Sequence, residues 1–116
     1  MLNHAKLHCY QRSLQMLKVL QTTMPKWGLG ASTKDQISRA MISVLLNTAE
    51  GCGKVSKKDK SRFYAIAGGS LLEVSAAVDV AYTLGGLKER DYLYLQNELL
   101  ITTKMFSKLI RVTLDS

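Results

Sequence analysis

The chain has one proline, two cysteines and one tryptophan in 116 residues. With so little proline, glycines in short clusters and no Ser/Pro/Gln-rich tract, there is no material for a long linker or disordered tail, and order is expected nearly end to end. Cys9 and Cys52 have no CxxC spacing, which argues against a disulfide framework or a zinc site. No apolar run approaches the roughly 20 residues that cross a bilayer, and the first residues lack the pattern of a secretory signal. No alternating run flanked by turn residues marks a strand. These absences leave one helical domain over residues 1–116, 47% hydrophobic and expected in the cytoplasm.

The apolar residues present recur at helical spacing. Over residues 4 to 24, Leu7, Tyr10, Leu14, Leu17 and Met24 step by three, four, three and seven, a seam of period about 3.5. Pro25 disfavours helix at Met24, so "PKWGLGAST" is expected as a loop. Thr33 and Gln36 fit a capping box, which places the start of a second helix at Thr33. Its stripe is Ile37, Ala40, Met41, Val44, Leu45 and Thr48. Ile42, Leu46 and Ala49 add a second apolar side, as in a helix at a bundle centre or a subunit interface. Gly51 and Gly53 are expected to stop it through left-handed backbone angles.

Ser56 and Asp59 predict the next N-terminus, with a helix from Lys57 to Leu84, roughly 42 Å long at about 1.5 Å per residue. Gly68 and Gly69 in its middle predict close approach of a neighbouring backbone. Tyr92, Leu95, Leu99, Thr102, Phe106, Leu109 and Thr113 mark a fourth helix over residues 91 to 114. Short loops between four helices predict an all-α, antiparallel up-and-down four-helix bundle.

The net charge of +7 is spread unevenly. Lys6, Arg12, Lys18, Lys26 and Lys34 all precede the first carboxylate, Asp35, and Lys54, Lys57, Lys58, Lys60 and Arg62 face Asp59 alone. Such a field favours polyanions, whether nucleic acid, anionic lipid or an acidic protein face; a merely solvated surface is the plain alternative. The cations fall on more than one helix face, which suits contact along a phosphate backbone better than reading of base edges.

The tests for chemistry return little. "GCGK" is not a Walker loop, because GxxxxGK[ST] and a preceding strand are both missing. His4 and His8 are four apart, with no further histidine to extend a metal set. Glu50 and Glu73 flank the turn and, with Asn47 and Ser70, form either an acid/base pair or a polar network with Arg39 or Arg62 as counterions. No nucleophile accompanies them, so the reading is non-enzymatic, without catalytic residues, metal ligands or cofactor. Trp27 either packs its loop onto the bundle or anchors a partner.

The stretch "QISRAMISVLLNTAEGCGKVSKKDKSRFYAIAGGSLLEV", Gln36 to Val74, resembles the signature of the bacterial four-helix bundle family found in intervening sequences of 23S ribosomal RNA genes. The matching positions are Gln36, Arg39 and Ala40; Asn47, Glu50 and Gly51; Gly53, Lys54 and Ser56; then Arg62, Phe63, Ala67, Gly69, Ser70 and Glu73. The resemblance implies an up-and-down bundle assembling as a barrel-like homopentamer. It extends to the accessory variability determinant of diversity-generating retroelements, a basic bundle that partners a reverse transcriptase and meets RNA or DNA. "PKWGLGASTKD" lacks the acidic residues usual after the proline, and the chain is more basic than the ribosomal-intervening pattern; both departures lean toward the retroelement role. The expected contact residues are Lys6, Arg12, Lys18, Lys54, Lys57, Lys58, Lys60 and Arg62, and no membrane partner is expected. A protein-interaction scaffold without direct nucleic-acid binding is the alternative, as is a hydrolase using Glu50 and Glu73.

Overall fold

In the computed structural model, which describes residues 2–116, four α-helices follow one another: α1 (His8–Thr23), α2 (Ala31–Cys52), α3 (Lys57–Thr83) and α4 (Glu89–Asp115). Short 3-10 turns at Asn3–Lys6 and Met24–Lys26 flank α1, and there is no strand among the described residues. Each helix packs on its neighbours in chain order, and α4 closes back on α1. The resulting bundle measures 44 × 20 × 20 Å.

Polar clips between helices fix an antiparallel register. Ser43 and Ser70 hydroxyls meet at 3.0 Å between α2 and α3. Ser75 donates to the Gln96 amide oxygen at 2.6 Å, while Tyr92 donates to Asp79 at 2.5 Å, joining α3 to α4. In both pairs of helices, moving forward along one chain segment means moving back along the other.

The predicted row of α2, Ile37, Ala40, Met41, Val44, Leu45 and Thr48, is buried throughout. In α4 the centre of the predicted row, Leu95, Leu99, Thr102 and Phe106, is buried, with Tyr92 and Leu109 packed at its edges. Ser56 caps α3 by accepting from the Asp59 amide at 3.1 Å. Gly85, at φ +78, ends the run after Leu84.

The structure corrects four expectations. The buried row of α1 is Cys9, Ser13, Met16 and Leu20, continued by Met24. Leu14, expected in the seam, is exposed, and Leu7, Tyr10 and Leu17 are only half-buried. Ser13 donates to the Cys9 carbonyl at 2.7 Å, so a hydroxyl sits in the core with its donor satisfied and breaks the apolar pattern by which the row would be read. The second correction concerns α2, which starts at Ala31 behind Gly30, with no side-chain cap; Thr33 is already inside it.

Thirdly, Gly51 lies within α2, and Gly53 has φ −82, so neither uses the left-handed region. Gly51 is required by proximity instead, since a Cβ there would stand 2.7 Å from Tyr64 Cε1 and 3.1 Å from the Lys60 carbonyl. Fourthly, no backbone approaches Gly68 or Gly69: a Cβ on Gly68 would meet only Phe106 Cβ at 4.0 Å, and one on Gly69 would meet nothing within 4 Å. Gly69→Ala is therefore expected to stabilise the dilute protein by roughly 0.5–1 kcal/mol, read from its urea midpoint. A loss of stability would mean that the new methyl group strikes a second copy.

By length and composition α3 is apolar enough to cross a bilayer, although the chain has no uninterrupted apolar run of that length. Within the bundle its Tyr64, Ala67, Leu71, Val74, Val78 and Ala81 are buried against the neighbouring helices.

Candidate nucleic-acid interface

The turn between α2 and α3 brings the densest run of cations to one end of the bundle. Gly51 lets Tyr64 lie against α2, and the Tyr64 hydroxyl donates to Cys52 Sγ at 3.4 Å. Burial and that bond raise the Tyr64 pKa, so the phenol stays protonated and ties the hairpin together. Burial also pushes the Cys9 thiol up to about 11, which makes it a packing group rather than a nucleophile at neutral pH.

The cations of this turn divide by role. Lys60 donates to the Cys52 carbonyl at 2.9 Å and approaches the Gly51 carbonyl at 3.5 Å, satisfying the end of α2. Lys54 pairs with Glu50 at 3.5 Å. Lys54 and Arg62 both stand over the Phe63 ring, at 5.0 and 4.5 Å from its centroid. Lys57 and Lys58 are exposed in the first turn of α3, and neither has an ion pair among the described residues. Lys60→Ala is expected to cost about 1–2 kcal/mol in a thermal or urea melt, because the terminal carbonyls of α2 lose a charged donor. Lys57→Ala and Lys58→Ala should leave the same melt nearly unchanged.

The remaining predicted cations are spread out. Lys6 ends the N-terminal 3-10 turn, which packs on the end of α2 and so joins the basic end. Arg12 is half-buried in an ion pair with Glu98 of α4, and Lys18 is exposed on α1 beyond it, toward Pro25. Those two lie outside the cluster, and Arg12 is structurally engaged.

Sequence reasoning missed the cations that α4 contributes. Lys104, Lys108 and Arg111 recur at spacings of four and three on one exposed face, and the antiparallel fold returns that face to the α2–α3 end. The half of the bundle nearer this turn thus holds nine cations, Lys6, Lys54, Lys57, Lys58, Lys60, Arg62, Lys104, Lys108 and Arg111, against Glu50, Asp59 and Asp115. Nearly all of the +7 resides there; the other half has seven cations against six carboxylates.

The polar signature residues face outward from the α2–α3 hairpin. Asn47 donates to the Ser43 carbonyl and hydroxyl at 2.9 and 3.0 Å, and Ser43 reaches Ser70, so Asn47 and Ser70 belong to one small network. The two carboxylates stand apart from it. Glu50 pairs with Lys54, whereas Glu73 lines a shallow groove with Thr33, Gln36 and Ala76, well along the bundle from the turn. Arg39 pairs with Asp35 at 2.8 Å rather than serving either glutamate. Gln36, Arg39, Glu50, Gly69 and Glu73 are all exposed, as are the apolar residues Ile42 and Leu46 of α2 and Ile66 of α3.

Trp27 is 5% exposed and packs its loop into the core, so it is not available as a partner anchor. Beside it, at the end opposite the basic cluster, is a cavity of about 720 Å³ whose walls include Lys26, Gly86, Lys88 and Arg90, with Asp91 among them. His4 and His8 are split between the N-terminal 3-10 turn and α1, with His4 edge-on to Tyr10. No cluster of three or more metal-ligating side chains occurs among the described residues.

The sequence pattern of the 23S rRNA-intervening sequence protein family matches residues 5–108. No functionally curated protein matches the chain. A solved structure from Bacteroides thetaiotaomicron, of a protein of unknown function from the S23 ribosomal protein family, is similar with a TM-score of 0.76 and 16% identity, covering 88% of this chain and 97% of that one. At that identity the likeness is one of fold.

Proposed function

The chain belongs to the 23S rRNA-intervening sequence protein family, and we propose that it is a non-catalytic, oligomeric protein that binds RNA or DNA through the basic end of its bundle. The observation that carries this reading is the charge polarity: a six-unit positive excess gathered into one half of the molecule, most of its cations without an ion pair among the described residues. A surface of that kind attracts a phosphate backbone and carries little base information. The separation of Glu50 from Glu73 favours contact over catalysis, because Glu50 is engaged by Lys54 and Glu73 shares its shallow groove with no second carboxylate, histidine or cysteine.

Assembly would strengthen the effect. The exposed Ile42, Leu46 and Ile66, with open Gly69 beside Ile66 on α3, support the α2–α3 face as the place where copies meet. In a barrel-like pentamer, five basic ends would share one rim and a total charge of about +35 before counterion binding. In a diversity-generating retroelement such a rim would hold template or product while a reverse transcriptase works on it.

The test is a titration into labelled structured RNA and matched DNA over a salt series, with the mass recorded by light scattering. Binding by an oligomer, with affinity falling steeply as salt rises, is the expected result. A folded protein that binds neither nucleic acid at low salt overturns the proposal.

A further inference from the structure

A second surface at the basic end has a different chemistry. The N-terminal 3-10 turn packs on α1 and α2, and α1 begins only at His8 while α4 runs on to Asp115 beside α3, so the last turns of α4 are left uncovered on their α1 side. Between them lies a groove of about 360 Å³. Five of its seven lining residues, Leu7, Cys9, Met105, Leu109 and Val112, are apolar, and the other two, His8 and Lys108, form its rim. Val112 and, just beyond it, Leu114 are about half exposed. Lys104 and Arg111 flank the groove on the Lys108 side of α4 and Lys6 ends the 3-10 turn just before Leu7, none of them with an ion pair among the described residues, and Asp115, on the same flank, is the one carboxylate at this end of α4.

We propose that this α1–α4 groove is a docking site for an amphipathic helix of another protein, one whose apolar stripe enters the groove and whose flanks are acidic. An apolar stripe at i, i+3, i+4 and i+7 matches a channel that follows α4 from Met105 to Val112 past the start of α1, and Met105 supplies a wall that adapts to different side chains. The cationic rim selects for carboxylates beside the stripe. Nucleic acid is the weaker fit, because the floor offers phosphates no donor and bases no aromatic ring. A second copy docked about a two-fold axis would set this rim against itself, cation against cation.

The probe is a fluorescent synthetic helix with leucines at the stripe positions and glutamates elsewhere, compared with a scrambled peptide of the same composition. Anisotropy should show the patterned peptide binding at least about tenfold more tightly than the scrambled one, and amide NMR shifts should move at Leu7–Cys9 and Met105–Val112. Val112→Asp, at an exposed position, should abolish that preference while lowering RNA affinity by no more than about twofold, the effect of one added negative charge on the basic half; Lys108→Glu should weaken the peptide at least about fivefold. Equal binding of the two peptides, or retention of the preference in Val112→Asp, overturns the proposal. So does a change in oligomer mass in Val112→Asp, which would make the groove a subunit contact. RNA affinity is measured on Val112→Asp as well, in which every cation of the basic end is kept, so the nucleic-acid reading and the groove stand or fall separately.

Discussion

Replacing Gly51 with leucine should destabilise the bundle by about 3 kcal/mol, a drop of roughly 10 °C in Tm. The first added carbon alone would lie 2.7 and 2.9 Å from the Tyr64 ring and 3.1 Å from the Lys60 carbonyl. The ring is not the free end of a flexible side chain: Tyr64 is 4% exposed, and its hydroxyl is bonded to Cys52. The carbonyl is part of α3 and cannot retreat without unwinding the turn that Ser56 caps. Alanine at the same position meets the same contacts but gains about 1 kcal/mol in helix propensity over glycine, so its net loss should be smaller. Leucine gains nearly as much propensity, but its three further carbons must also find room against the Tyr64 ring, and it would displace Lys60 from the α2 carbonyls. A Gly51→Leu protein that melts with the parent would mean that Tyr64 swings out freely and that the hairpin is not closed by this contact. The same variant should lose RNA affinity, because Lys57, Lys58 and Arg62 are held in place by the helix start that it disturbs.

What the sequence could reveal depended on how each residue makes its contacts. The row of α2 was legible because it is apolar at every step except Thr48, whose hydroxyl returns to the Val44 carbonyl at 2.6 Å. The row of α1 was not, because Cys9 and Ser13 carry two of its positions, while Leu7, Leu14 and Leu17 form a more convincing pattern in which Leu14 is exposed and the others only edge the core. Two capping signatures looked alike, yet only Ser56 caps. At Thr33 the helix has already begun, with Gly30 extended behind Ala31. Within the site, the run from Lys54 to Arg62 was visible as charge, but its division of labour was not. The reach of Lys60 back to the α2 carbonyls, the pairing of Lys54 with Glu50 and the cation platform at Phe63 all depend on the angle of the turn. Lys104, Lys108 and Arg111 are distant in sequence and join the cluster through the antiparallel return of α4. Their spacing on one helix face was the available signal, and only the fold says which end of the bundle they reach.

The division of labour sets the result expected of the triple reversal Lys57→Glu, Lys58→Glu and Arg62→Glu. Each substitution removes two units of charge, which takes the basic half from a six-unit excess to balance and the chain from +7 to +1. Affinity for single-stranded RNA at low salt should fall at least about 100-fold, and the slope of log affinity against log salt should shrink by about 2 if each cation contacts one phosphate. Loss of fold is not expected to explain this. All three side chains are exposed, and residues 57 and 58 occupy the first turn of α3, where glutamate complements the helix dipole by about 0.3–1 kcal/mol each. The loss of Arg62 from Phe63, about 0.5–1 kcal/mol, offsets part of that gain. The variant should therefore melt near or slightly above the parent while no longer holding RNA, a combination that a merely destabilised protein does not produce. Lys88→Glu with Arg90→Glu, at the opposite end, is the matched control and should leave RNA affinity within about twofold, because screening confines the field to roughly 10 Å at moderate salt. If the triple variant is folded and binds RNA as the parent does, the basic end is solvated surface, and the protein acts through another face.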